Sequence, residues 1–162
     1  MNIVGARIDG RLVHGQVANL WTPKLQVDRI IVVDEEAAKN DIQKSGLRMA
    51  TPMTTRLSVL SAEVAADHLN HDRYGKQRLF IVAKKPAAYL ALLKLNVKLE
   101  TINVGTMSQS NTTRSITKQI NVETQDVQDF KEIADKGVTI TAQLTPSDDS
   151  HDFMKLLNEK LK

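Results

Sequence analysis

Short apolar runs recur down the chain, separated by segments in which apolar residues return every three or four positions. Ile3-Val4-Gly5-Ala6-Arg7-Ile8 is the first run and predicts a strand over residues 2–8. Val17, Leu20 and Trp21 then fall at helical spacing, and a helix over 14–21 should stop before Pro23. Arg29 to Val33 is β-branched and unbroken, as in a strand buried on both faces. Asp34 is a good N-cap with Glu35 and Glu36 behind it, so a helix should run from there towards Met49, weakest at Ser45-Gly46, and end before Pro52. Leu57 to Leu60 reads as a strand, Ser61 to Leu69 as a capped helix, 70–76 as a polar loop, and Leu79 to Ala83 as another buried strand.

Pro86 suits the first position of a helix whose inner face takes Ala88, Leu92 and Leu95, with Tyr89 and Leu93 beside them. Thr101 to Val104 is a fifth strand ending at Gly105. The nine residues Thr106 to Arg114 hold one apolar side chain and read either as a plain solvated loop or as a polar surface for phosphate or a partner protein. Ser115 to Val122 alternates weakly, as a half-exposed strand does. Thr124 opens a helix with Val127, Phe130, Ile133 and Ala134 on one stripe, closed by Gly137. Val138 to Ala142 is the last strand, and a final helix should begin near 147–150 with Phe153, Met154, Leu157 and Leu161 facing in. Strand and helix alternate throughout. That predicts an α/β fold: one doubly wound, mostly parallel sheet of six or seven strands flanked by helices, in a single domain over 1–162.

Composition narrows the function more than the fold. Apolar residues make up 41% and charged ones 25%, ordinary for a soluble globular chain. Twenty-two basic against nineteen acidic residues give a net charge of +3, too mild to imply nucleic acid. With no cysteine there is no disulfide or thiolate metal site. His68 and His71 share the spacing of one helix face beside Asp67 and Asp72, which reads as a solvated helix end; no metal or cofactor is expected. The first residues enter a strand directly, without the basic and apolar regions of a signal peptide, and no window suits a membrane span. A cytoplasmic location is the expectation.

Candidate chemistry gathers at the first strand-to-helix turn, Arg7-Ile8-Asp9-Gly10-Arg11-Leu12-Val13-His14-Gly15-Gln16-Val17. The first N–H groups of a helix lack intrahelical partners and favour an anion. Arg11 adds a permanently charged fork suited to phosphate oxygens, and His14 adds an imidazole nucleophile near pH 7. A lone His at a helix start is most often a surface or capping residue. Here its neighbours point instead to a phosphoryl group carried covalently on His14, with Arg11 and the N–H groups of Gly15 and Gln16 around its oxygens. Asp9 either orients Arg11 or the imidazole, or makes a turn-forming bond to the backbone. Gly10 and Gly15 permit backbone geometry or close approach that a Cβ would block. Gly105 and Thr106 end a strand at the same sheet edge and join the phosphate site if that strand neighbours the first. A dinucleotide fold is not indicated, because Gly5, Gly10 and Gly15 are spaced by five, and neither a P-loop nor a G-x-S-x-G elbow occurs.

The string Arg7-Ile8-Asp9-x-Arg11-Leu12-x-His14-Gly15-Gln16-Val17 resembles the signature of the enzyme IIB component of the sugar phosphotransferase system, mannose/fructose/sorbose family. Trp21-Thr22, Arg29 to Val33 and Asn103-Val104-Gly105 resemble that family in the same order. The resemblance implies a protein-Nπ-phosphohistidine–sugar phosphotransferase: a phosphorylated IIA protein gives its phosphoryl to Nδ1 of His14, which passes it to a hexose held by membrane IIC and IID subunits. It implies that Arg11 assists the phosphate, that the protein associates peripherally with the transporter, and that a homodimer is the precedent. Gly10 stands where many members carry a second Asp, and Thr106 where many carry a second Gly. The competing readings are a regulatory module that uses phospho-His14 to switch binding without sugar transfer, and a small-molecule binding domain in which His14 is never modified.

Overall fold

Residues 1–162 are described by a computed structural model. The nine strands are β1 (Ile3–Asp9), β2 (Arg29–Val33), β3 (Arg56–Leu60), β4 (Leu79–Ala83), β5 (Thr101–Thr106), β6 (Arg114–Ser115), β7 (Asn121–Val122), β8 (Thr139–Ala142) and β9 (His151–Asp152). Seven of them form one sheet in the order β3-β2-β4-β1-β5-β8-β9. Every pairing in it is parallel except β8 with β9. The doubly wound α/β expectation therefore holds. β1 lies between β4 and β5, in register Arg7 to Val82 on one side and Arg7 to Asn103 on the other. The chain leaves β1 towards β2 and leaves β5 towards β8, in opposite directions along the sheet. Their carboxyl ends are thus the place where an open α/β sheet leaves a crevice.

Period-two alternation divides the sheet's side chains between two unequal cores. Ile31 and Val33 of β2, Leu79, Ile81 and Ala83 of β4, and Ala6 and Ile8 of β1 join a core of 28 buried residues. It is closed by α4 (Ala62–Asn70), α5 (Pro86–Lys94), α6 (Thr124–Asp135) and α7 (Phe153–Lys160), with Phe130 and Phe153 in contact at 4.5 Å. Ile30 and Val32, with Phe80 and Val82, point the other way into a core of 10, completed by Leu12, Val13, Val17, Ala18, Trp21 and Val27. Tyr89 of α5 ties the helical layer to the centre of the sheet. Its buried hydroxyl lies 2.8 Å from the Arg7 carbonyl and 2.9 Å from that of Ile81, across the β1–β4 seam, and burial raises its pKa.

Several local expectations are corrected. The first helix does not stop at Pro23. It opens at residue 15, passes through a π-helical turn (Val17–Trp21) and continues as α1 (Thr22–Leu25). The π turn restarts the hydrogen-bond ladder, with Thr22 N–H reaching Val17 O, so Pro23 falls in a first turn where its missing donor is harmless. The wider turn also buries Ala18 and leaves Leu20 44% exposed, against the predicted stripe. The segment after Asp34 is two helices, α2 (Glu35–Ala38) and α3 (Asp41–Ala50). They are split at Asn40, whose side chain accepts from Gln43 N–H and caps the second, and not at Ser45-Gly46. Leu95 is exposed because α5 ends at Lys94. The expected strand 115–122 is the separate antiparallel pair β6–β7, turned at Thr117, whose carbonyl takes the Ile120 N–H. The last helix starts at Phe153, capped by Asp152, after the unpredicted strand β9. No helix is long and apolar enough to cross a membrane.

Candidate active site

β1 puts Ala6 and Ile8 into the larger core, so its alternate residues Arg7 and Asp9 face the thinner side. Both are buried, at 1% and 0% exposure. Beyond Asp9 the chain turns sharply: Leu12 N–H donates to the Asp9 carbonyl, and Leu12 sits at φ 60, a left-handed conformation rare for a bulky side chain. The burial of Leu12 and Val13 in the thin core holds that conformation. Arg11 is left exposed at the tip, and His14 stands at the helix entry, its carbonyl accepting from Ala18 N–H at 2.8 Å. Gly15 and Gln16 open the helix, where main-chain N–H groups lack intrahelical acceptors. The space a Cβ would occupy at Gly15 is empty, so a ligand can approach bare backbone there.

Asp9 makes the turn-forming bond to the backbone and also touches the imidazole. Its Oδ1 accepts the Arg11 N–H at 3.1 Å, a side-chain-built turn, and the same oxygen lies 2.8 Å from His14 Nε2. The oxygen stands off the in-plane direction of the ring N–H, so this is a close polar contact and not an aligned hydrogen bond. Burial alone would push the Asp9 carboxyl up. The His14 contact, the Arg11 N–H and the charges of His14 and Arg7 outweigh it and hold the group below the usual carboxylate range. The His14 side chain is 12% exposed; Nε2 is sealed from solvent, whereas Nδ1 is not and carries no partner. One nitrogen faces a carboxylate and the other faces outward.

β5 adjoins β1, so Gly105 and Thr106 do lie beside the turn, in different surroundings from those expected of phosphate ligands. Thr106 gives its hydroxyl to Asp9 Oδ1 at 3.1 Å and accepts the Gly10 N–H at 3.2 Å on the same oxygen. Gly105 is buried beneath the Arg7 guanidinium, where any Cβ would overlap it. Both steady the turn from below. Arg11, the helix-opening N–H groups and His14 Nδ1 are the groups left facing out. Gly10 packs under Ser108, whose Oγ would lie 2.6 Å from a Cβ at position 10, so a side chain there requires that hydroxyl to turn away. In the polar loop Ser110, Thr112 and Thr113 bond to one another, and Ser110 and Thr112 also donate to Glu123. Gln16 Oε1 is buried beside the turn without a partner.

Arg7 stands in the motif, but the residue pattern by itself assigns it no role. The available signal was two charges at i and i+2 inside a strand-forming run, which alternation places on one face. Asn103 and Gln143, which meet Arg7 from β5 and from the segment after β8, come from 96 and 136 residues away and had no such signal.

Residues 3–162 match the family model described as the PTS system sorbose subfamily IIB component. The chain is 35% identical to the fructose-specific EIIB component of Bacillus subtilis (strain 168), over 100% of its own length and 99% of that protein. It is 29% identical to the mannose-specific EIIAB component of Escherichia coli (strain K12), over 95% of its own length and 48% of that longer protein. The IIBSor domain of the sorbose permease from Klebsiella pneumoniae shares the fold at a TM-score of 0.93, with 30% identity and 98% of each chain covered. With its mostly parallel sheet and the His14 turn at the sheet's carboxyl edge, the chain belongs to the sorbose-subfamily IIB components of the sugar phosphotransferase system, which are phosphotransferases as a class.

Proposed function

We propose that His14 Nδ1 accepts a phosphoryl group from a phosphohistidine on a IIA protein and passes it to a hexose presented by membrane IIC and IID subunits. The observation that carries this reading is the division of the imidazole: Nε2 against Asp9 and sealed, Nδ1 open and unbonded. The Nδ1 lone pair attacks phosphorus in line, the P–N bond of the donor breaks, and its electron pair returns to the donor ring. The Nε2 proton stays where it is, and the positive charge that grows on the ring is met by the Asp9 carboxylate. Arg11 and the N–H groups of Gly15 and Gln16 surround the equatorial oxygens, the positive groups such a transfer needs. In the second step a sugar hydroxyl attacks phosphorus and gives up its proton, while the bond from His14 Nδ1 to phosphorus breaks and its electron pair returns to the ring.

Incubation with a IIA protein charged from phosphoenolpyruvate tests the first step. Acid-labile, base-stable label should appear on the wild type and not on His14→Gln; label on the variant would overturn the assignment. Adding membranes that contain IIC and IID then tests the second step. Phosphosugar should form, whereas label retained on the protein would favour the regulatory-module reading.

A further inference from the structure

Arg7 is the largest side chain sealed inside this protein, and a charge that deep is costly unless it is paired. Its five N–H donors are all committed. Nε and Nη2 each donate to Asp9 Oδ2 at 3.3 Å, Nη1 donates to Asn103 Oδ1 at 2.7 Å and to the Gln143 carbonyl at 3.0 Å, and Nη2 also reaches the Leu144 carbonyl at 2.9 Å. None remains for a phosphate, so Arg7 is not a second Arg11. Trp21 lies 5.1 Å from the guanidinium and donates its indole N–H to the same Leu144 carbonyl. Gly105 supplies the room the guanidinium occupies.

Everything in this cage converges on one carboxylate. Asp9 gives Oδ2 to Arg7 alone, which leaves Oδ1 to face the turn, where it meets Arg11 N–H, the Thr106 hydroxyl and His14 Nε2. We infer that Arg7 is a positioning residue for phosphoryl transfer at His14, fixing the Asp9 carboxylate so that the imidazole proton stays on Nε2 and the lone pair on Nδ1. The inference rests on His14 being the phosphoryl acceptor. A structural clamp would need the guanidinium's hydrogen bonds but would be indifferent to which oxygen of Asp9 it engages. A positioning residue depends on that choice, because a rotated carboxylate loses Nε2.

The test uses the whole chain and a partner-free donor, phosphoramidate, which transfers its phosphoryl to imidazole with loss of ammonia. The rate is followed by phosphorus NMR and the His14 ring by nitrogen NMR across pH 6–9. In the wild type the neutral ring should carry its proton on Nε2; a neutral ring protonated on Nδ1 would overturn the inference without any variant. Arg7→Lys keeps the charge and loses the fork, whereas Gly105→Ala keeps Arg7 and displaces it. Each should slow phosphorylation about 10- to 100-fold, as when a buried group that orients a functional imidazole is removed, and should raise the Nδ1-protonated fraction. Phe130→Leu, in the opposite core, serves as the control for lost stability and should leave both readouts unchanged. Wild-type rates and ring tautomer in folded Arg7→Lys or Gly105→Ala would reduce Arg7 to a clamp. A wild type that takes no phosphoryl from phosphoramidate or IIA would instead overturn the reading of His14 itself.

Discussion

The two faces of the sheet are built to different ends. One carries a 28-residue core under four helices; the other carries 10 residues under one irregular helix, with Leu47 of α3 packed at its margin. The same strand, β1, serves both: Ala6 and Ile8 are fixed in the thick layer while Arg7 and Asp9 stand on the thin one. A buried ion pair is easier to place where packing is sparse and backbone carbonyls such as those of Gln143 and Leu144 are within reach. The thick face therefore supplies stability, and it holds rigid the strand that presents the chemistry on the thin face. Functional groups supported from a stiff element keep their geometry better than groups on loops.

The contrast can be broken first at Phe130. Phe130→Ala on the thick face should cost about 3–5 kcal/mol and lower the melting temperature by about 10 °C in a chain of this length. The rate of His14 labelling at a temperature where the variant is folded should be unchanged; a parallel fall in rate would show that the faces are not separable. Asp9→Asn on the thin face should destabilise by about 3 kcal/mol, because it strands the buried Arg7 charge, and here labelling should fall as well.

Two buried aspartates sharpen the comparison through pH. The Asp9 carboxyl is held low, so its contribution to stability is present above the usual value of 3.8 and is lost as pH falls through its depressed value. Asp126, in the cap of α6, is raised by burial, against the opposing Glu123 N–H and the Lys85 charge. Its favourable contribution is present below 3.8 and is lost as pH rises through its elevated value, the opposite sign. Denaturant midpoints followed from pH 7 down to pH 3 should show Asp9→Asn flattening the acid loss. Asp126→Asn, which keeps an acceptor for Glu123 N–H, should be neutral in acid and more stable at pH 7 by up to about 1 kcal/mol, the scale of relieving one partly compensated burial. A loss at pH 7 would mean that the cap needs the charge. The smallest effect is expected at Met53, 97% exposed, where Met53→Lys should change stability by less than about 0.5 kcal/mol.

Residue order alone carried the alternation of strands and helices, the parallel sheet, and the His14 turn with Asp9 and Arg11 in it. These are written in local periodicity and in side-chain types that sit close together along the chain. Capping was partly legible: Asp34 and Ser61 cap helices as expected. Asn40 was missed because Ala37, Ala38 and Lys39 ahead of it are good helix formers and no Gly or Pro marks a break there. The π turn ahead of Pro23 was not legible either, since it depends on which residues the thin core accepts. Nor could spacing reveal that Gly105 makes way for Arg7, that Thr106 serves Asp9, or that Asn103 and two carbonyls after β8 complete a cage around one guanidinium. Those contacts join residues about a hundred positions apart, and they exist only once β5 lies beside β1. Local pattern chooses the elements because each residue's immediate neighbours set its backbone preference. The surroundings of the His14 imidazole are set by a carboxylate, an arginine and carbonyls that meet only when the sheet has assembled.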